Sequence, residues 1–406
     1  LDFGMPGRRI LFIWELGDGL GHVSRILPLA RQLQAAGEIC MFAVRNVENS
    51  HRVLDGTGMG MLQAPLTQPV TDYDGKASIG AYGDIMETIG YARVERLHAM
   101  LTAWDGIYET ARPDLIVADY APTALLAARG RIPAVAIGDW FTLPPSTLPA
   151  FPYLRETGPR IAEADLMRVV HEAQRRRGAS APAAMPGILD CAAAFIITLP
   201  ELDQYADKRR LPAVGPLTPL PEPLENTDHE VDYFAYLSLG FRPTVKVLEA
   251  LVKMRLRGSI YLRDSSALQR DSWRERGLTI HDGPQDLREM ARRSAVMIHH
   301  GGLGTIETVF ALGRPQLLVP RHLEQGVNAA MAGRLRLAVG MQTGGRFEGE
   351  HVSRALNHAL ASKDLRDNAA RKAEELAQRG PFNALEPVTE FCLTTLATGI
   401  QQSKGS

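Results

Sequence analysis

At 406 residues, 45% of them hydrophobic, the chain is longer than one hydrophobic core usually organises, so two domains are expected. A net charge of −1 and an isoelectric point near 6.9 argue against nucleic acid or an anionic membrane as the main partner. Three scattered cysteines, Cys40, Cys191 and Cys392, lack metal-type spacing and fit a reducing cytoplasm better than a disulfide framework.

In chain order, Leu1–Gly4, before Met5, read as an appended remnant outside the fold, and no signal-peptide pattern follows them. Ile10–Trp14 predicts a strand, Ser24–Ala35 the helix after it, and Ile39–Val44 a second strand. Apolar residues at Ile85, Ile89, Leu97, Leu101, Trp104 and Tyr108 recur at helical spacing and predict one long helix over Ile85–Ala111. Further strands are expected at Leu115–Ala118, Ile132–Ile137 and Phe195–Thr198. Strands alternating with helices predict a doubly wound parallel sheet. Between Asp139 and Pro159 the composition turns to proline and aromatics, with Trp140, Phe141, Phe151 and Tyr153. That loop is either a binding surface for an apolar acceptor or a loop pinned to the core. The basic runs Arg175–Arg177 and Arg209–Arg210 read as solvated helix ends.

Ala213-Val-Gly-Pro-Leu217 and the proline-punctuated polar residues after it read as a linker. The expected division is therefore a first domain at 5–215, a linker at 216–230, a second domain at 231–380 and a C-terminal helix at 381–400. The second alternation predicts strands at Tyr233–Ser238, Ser259–Leu262, Thr279–His281, Val296–Ile298 and Gln316–Val319, and a helix at Asn383–Thr398. No apolar run approaches the roughly 20 residues that cross a bilayer. A cytoplasmic protein without a transmembrane segment is expected.

Two glycine-rich turns carry the chemistry. The first, Trp14-Glu-Leu-Gly-Asp-Gly-Leu-Gly-His22-Val-Ser-Arg25, has Gly17 and Gly19 where a dinucleotide-binding turn has them. Its third position is His22, however, and the second strand ends at Arg45-Asn46 rather than at an acidic ribose ligand. A nicotinamide enzyme is therefore disfavoured, and a histidine remains at the mouth of the sheet. An imidazole there can take a proton from a hydroxyl nucleophile, or merely cap the turn. Asp119 ends the strand phrase Pro113-Asp-Leu-Ile-Val-Ala-Asp119 on the same rim. It either orients His22, as the acid does in a hydrolase triad, or caps the helix starting near Ala121. The second turn lies in Met297-Ile-His-His-Gly-Gly-Leu-Gly-Thr-Ile-Glu-Thr308, where an apolar strand runs into glycines that open a helix. Close backbone approach and the positive end of a helix suit a phosphate without a metal.

That second segment, with Gly313-Arg-Pro315, Pro320-Arg-His-Leu-Glu324-Gln325 and Asn328-Ala329, resembles the donor-binding signature of the UDP-glycosyltransferase superfamily, inverting enzymes of GT-B architecture. The resemblance implies two facing Rossmann-like domains with the active site in the cleft between them. It implies His22 as general base with Asp119 as its partner. It places His300, rather than His299, at the donor phosphates, with Gly301, Gly302, Gly304 and Thr305 supplying N–H groups and a hydroxyl. Glu324 and Gln325 stand where the family's acid–amide pair binds sugar hydroxyls. Gly283 and Gln285 flank the turn against the base, and Ser238 and Gly240 form the loop facing the phosphates.

The sequence also departs from that pattern. Asp282 replaces the aromatic that stacks on the base, Thr308 falls at the ribose glutamate with Glu307 one position early, Arg25 replaces a proline, and Phe241 a serine or threonine. Losing a ribose-diol ligand is least costly for a dTDP-sugar, so UDP and dTDP both stay open as donor nucleotides. The expected function is transfer of a hexose to a hydroxyl of a small, apolar or aromatic acceptor. Trp140 and Phe141 are candidate acceptor contacts, and no cofactor or metal is expected. A nucleotide-sugar epimerase, a cell-wall hexosaminyl transferase and a non-catalytic activator of a partner glycosyltransferase are the alternatives.

Overall fold

The computed structural model describes residues 7–17, 21–66, 79–225, 228–343 and 347–403. Gly19, Leu1–Gly4 and Asn226-Thr227 of the expected linker lie outside the described residues. The chain divides into two compact units, one of residues 1–218 with 383–406 and one of 219–382.

The first unit is built from β1 (Arg9–Trp14), α1 (Gly21–Ala35), β2 (Ile39–Val44), α2 (Val47–Leu54), β3 (Gly60–Gln63), α3 (Tyr82–Met86), α4 (Val94–Ala111), β4 (Leu115–Asp119), α5 (Pro122–Ala128), β5 (Ala134–Gly138), α6 (Glu163–Arg176) and β6 (Ala193–Ile196). Its strands form one six-stranded sheet in the order β3-β2-β1-β4-β5-β6, all pairs parallel. The central strands are nearly continuous runs of Ile, Leu, Val and Ala, as expected when helices cover both faces. Leu11, Ile13, Ile116 and Ala118 join the core on one face, and Ile10, Phe12, Leu115 and Val117 join that on the other.

The long helix expected over Ile85–Ala111 is interrupted. A π-turn at Glu87–Tyr91 places Gly90 at φ 119°, and a regular helix resumes at Val94. Such a φ is open to glycine and closed to most other residues. The first helix begins at Gly21 rather than Ser24, so His22 lies in its first turn.

The second unit comprises β7 (Val231–Ser238), α7 (Arg242–Met254), β8 (Gly258–Arg263), α8 (Ala267–Glu275), β9 (Ile280–His281), α9 (Leu287–Arg293), β10 (Ser294–His299), α10 (Leu303–Leu312), β11 (Gln316–Leu318), α11 (Leu323–Arg334), β12 (Ala338–Gly340), α12 (Gly349–Ala361) and α13 (Lys363–Gln378). Its sheet runs β12-β11-β10-β7-β8-β9, again parallel. Counted from its own first strand, this is the same strand order as in the first sheet. The final helix, α14 (Leu385–Ser403), belongs to the first unit. Its Val388, Cys392 and Leu396 share a core with Val23, Ile26 and Leu29 of α1.

In such a sheet, neighbouring strands whose connections leave in opposite directions open a crevice at their C-terminal ends, and ligands bind there. The crevice falls between β1 and β4 in the first sheet and between β7 and β10 in the second.

Candidate active site

In the first unit, Trp14 and Asp119 are register partners across β1 and β4, so the strand-end carboxylate and the turn leading to His22 meet at the crevice. His22 Nδ1 lies 3.2 Å from Asp119 Oδ2. The His22 ring stacks on Trp14, with centroids 5.5 Å apart and planes 16° from parallel. Gly17 has φ 84°, and a Cβ there would sit 2.5 Å from His22 Nε2. The glycine therefore makes room for the imidazole as well as turning the chain. Asp119 does not cap α5, whose N-cap is Ala121.

Asp119 is completely buried, and its remaining capacity goes to Arg25. The guanidinium Nη2 donates to Oδ1 at 2.8 Å and to Oδ2 at 2.9 Å. Burial alone would raise the Asp119 carboxyl; the charges of Arg25 and His22 overcome it and hold the group below the usual carboxylate range. Arg25 Nη1 also reaches Asp139 Oδ2 at 3.2 Å. Asp139 Oδ1 accepts from the Phe141 and Thr142 amides at 3.0 and 2.9 Å, which fixes the start of the aromatic loop. Tyr120, directly after Asp119, holds φ 48°, a conformation that is uncommon for a bulky residue. Its carbonyl accepts from Leu16 N at 3.0 Å.

The expected acceptor contacts divide. Trp140 is fully buried and packs edge-on against Phe141 and Tyr205, so it pins the loop to the core and offers no surface to a ligand. Phe141 is partly exposed, with its ring 6.2 Å from that of Tyr120. A further clamp had no sequence signal. Asp84, buried on α3, accepts from Gly80 N and Ala81 N on Oδ2 and from Arg160 N and Ile161 N on Oδ1, at 2.7 to 3.1 Å.

In the second unit, His300 follows β10 and bridges the crevice. Its Nδ1–H donates to Val319 O at 2.8 Å, and its Nε2 accepts from Ser238 N at 2.8 Å. This arrangement requires a neutral ring, and burial, helped by the charges of Arg321 and Arg263, lowers its pKa to about 4. His299 ends β10, buried, and bonds Gln316 Oε1 through Nε2 while Nδ1 accepts from Gly301 N. The glycine turn is thus held from within. Gly301 takes φ 85°, and its carbonyl accepts from the buried Asn328 amide at 3.1 Å. Gly302 is the N-cap of α10, with Gly304 and Thr305 in the first turn; Thr305 N bonds Gly302 O at 3.1 Å, so the amides suited to an anion are those of Leu303 and Gly304.

Other expected donor residues are locally engaged. The Ser238 hydroxyl donates to Asp264 at 2.7 Å, and Gly240 lies two residues on. Gln285 donates to the Gly283 and Pro284 carbonyls. Gln325 accepts from Arg321 N at 2.9 Å, and Glu324 sits beside it in the first turn of α11. Thr308 is half-buried and donates back to Gly304 O at 2.7 Å, while Glu307 is buried. Asp282 is paired with Arg270 and Arg274. Among the described residues, no group of three or more His, Cys, Asp or Glu is arranged to hold a metal, and no helix is long and apolar enough to cross a membrane.

No protein-family model and no curated protein sequence matches this chain. Solved structures do. The chain is similar to the glycosyltransferase of kitacinnamycin (17% identity, 97% of this chain and 100% of that one, TM-score 0.65). It is similar to the calicheamicin glycosyltransferase (18%, 97% and 99%, TM-score 0.68). The spinosyn rhamnosyltransferase aligns at 14% identity, over 94% and 100% of the two chains, with a TM-score of 0.65. The chain has the GT-B fold. Within that fold, sequence reasoning did not assign a role to Arg25, Asp139, Asp84, Arg263 or Arg321. Arg25 carried a signal, as the cation three residues beyond His22.

Proposed function

We propose that the chain is an inverting glycosyltransferase that moves a hexose from a nucleoside diphosphate sugar to a hydroxyl of a small acceptor. The observation that carries this reading is the His22–Asp119 contact of 3.2 Å at the crevice of the first sheet. With Nδ1–H donated to Asp119, Nε2 is the basic nitrogen. The acceptor hydroxyl gives its proton to Nε2, its oxygen bonds to the anomeric carbon, and the bond from that carbon to the diphosphate breaks. Attack opposite the departing diphosphate inverts the centre.

The α10 first-turn amides suit the charge that develops on the leaving diphosphate, and the nearby charges of Arg263 and Arg321 add to them. Because His300 Nε2 already accepts from Ser238 N, His300 contributes mainly by holding the turn. No step needs a metal. The donor is a UDP- or dTDP-sugar; a structure of the spinosyn rhamnosyltransferase was solved with thymidine diphosphate. The fold relatives named for kitacinnamycin, calicheamicin and spinosyn support a natural-product acceptor, and the exposed part of Phe141 suits an apolar or aromatic one.

Purified protein incubated with UDP- and dTDP-sugars and a panel of hydroxylated aromatic acceptors tests the reading, with the anomeric configuration of product read by NMR. His22→Ala should lose about 10²-fold or more in turnover while donor affinity holds. Undiminished turnover would remove His22 from the chemistry. His300→Ala should weaken nucleoside diphosphate binding by calorimetry, and unchanged affinity would take His300 out of the donor site.

A further inference from the structure

His22 does not have its carboxylate to itself. Arg25 lies one turn along α1 on the same face, and its Nη2 holds both Asp119 oxygens at 2.8 and 2.9 Å. The same Nη2 comes to 3.3 Å from His22 Nδ1, while Asp119 Oδ2 stands 3.2 Å from that atom. These two neighbours make opposite demands. Toward Asp119, Nδ1 must carry the proton, leaving Nε2 as a base; toward Arg25 it must offer a lone pair, which puts the proton on Nε2 and disables it.

Arg25 and Asp119 alone would be a neutral pair, giving an imidazolium no net counter-charge and a cation at its edge. Asp139 changes that balance. Its Oδ2 meets Arg25 Nη1 at 3.2 Å, and its Oδ1 is fixed by the Phe141 and Thr142 amides. Two carboxylates and one guanidinium leave one net negative charge beside neutral His22, which proton uptake cancels. Among the described residues, the other titratable groups facing this part of the unit include Tyr120, whose ring lies 6.1 Å from His22, Tyr82, whose ring lies 6.5 Å from that of Tyr120, and Glu15. The Glu15 Oε2 is turned to the α5 amides of Thr123 and Ala124.

We propose that Arg25 and Asp139 form a charge-compensated insert in the His22–Asp119 pair: Arg25 draws the Asp119 charge away from the imidazole, Asp139 restores it, and together they set the basicity of His22. Both are positioning residues, and the inference rests on the reading of His22 as the base. Asp139 also anchors the aromatic loop, so the base and the loop beside it are tied through one carboxylate.

The test is the His22 titration, followed by NMR on imidazole-labelled full-length protein in wild type, R25M, D139N and the double variant. R25M should raise the His22 pKa by about one unit and D139N should lower it by about one unit. The double variant should return to within about half a unit of wild type. The acid limb of the kcat/KM profile should move in step. If R25M fails to fold because Asp119 is left buried and underpaired, R25K and D139N decide: R25K should keep the pKa near the wild-type value while D139N shifts it. An unmoved His22 pKa in both R25M and D139N, or in D139N alone where R25M does not fold, overturns the insert. So does a double variant no closer to wild type than the single ones. The titration needs no product, so it stands apart from the transferase reading; absence of glycosyl transfer with every donor would sink that reading and leave these shifts measurable.

Discussion

Replacing Gly17 by alanine tests whether the first turn exists to seat the imidazole. The added Cβ would lie 2.5 Å from His22 Nε2, 3.3 Å from Cε1 and 3.4 Å from Cδ2. Carbon and nitrogen settle near 3.5 Å apart, so the ring must retreat by roughly 1 Å. It is backed by the Trp14 indole and tied to Asp119 at 3.2 Å, and a retreat of that size breaks the contact. Misplacing a reacting group by about 1 Å costs on the order of 10²-fold in rate. The φ of 84° at Gly17 adds about 1–2 kcal/mol of backbone strain for an alanine. Gly17→Ala should therefore approach His22→Ala in turnover and lose about 2 kcal/mol in thermal unfolding, with nucleoside diphosphate affinity unchanged. In a His22→Ala background the clash is gone, so Gly17→Ala should keep its backbone cost and reduce turnover no further. Wild-type turnover by Gly17→Ala would refute the argument.

Two further outcomes follow from buried carboxylates. Asp84→Asn turns an NH2 toward a pair of backbone N–H donors in place of an oxygen that accepted from them; the loss should be about 3 kcal/mol or more, read by denaturant unfolding, and an unchanged midpoint would mean the clamp carries no energy. Glu15 is pushed up from 4.5 to about 7 by burial, against the hydrogen bonds it receives. The folded state then binds more protons than the unfolded chain between those values, so stability should fall as pH rises from about 4.5 through 7, by roughly 3 kcal/mol. Glu15→Gln keeps an oxygen for the Thr123 and Ala124 amides and should abolish that slope in pH-resolved thermal unfolding; the same slope in both proteins would assign it elsewhere.

Much of this architecture was legible because buried parallel strands are written as uninterrupted apolar runs. Ile10–Trp14 and Val296–Ile298 are two cases, and the observed strands, Arg9–Trp14 and Ser294–His299, contain those runs and extend them. The short edge strands β3 and β12 were not expected, since Gly60–Gln63 and Ala338–Gly340 are too brief and too exposed to show a pattern. They exist by pairing with β2 and β11. The break at Gly90 was hidden because apolar spacing continues across it. At the crevice, Arg25 was visible only as the residue standing where a proline was expected. Its partners Asp119 and Asp139 are 94 and 114 residues away in sequence, and no local period reports contacts of that separation.

On the proposed reading, the crevices of the two sheets use one structural device with opposite electrostatic intent. In each sheet a helix opens beside the crevice, α1 beside β1 and β4, α10 beside β10 and β7. The first turn of a helix carries a positive field that favours anions and penalises cations. At α10 the field is left in place and reinforced: the turn is glycine, His300 and His299 are kept neutral, and Arg263 and Arg321 act nearby. At α1 the same field opposes an imidazolium at His22. A base there needs more negative charge than one shared carboxylate provides. Asp119 and Asp139 supply it, and Arg25 keeps two carboxylates from facing each other unscreened. On the proposed reading, the same strand order serves an anion in one unit and a proton acceptor in the other, the difference residing in which side chains reach the helix end.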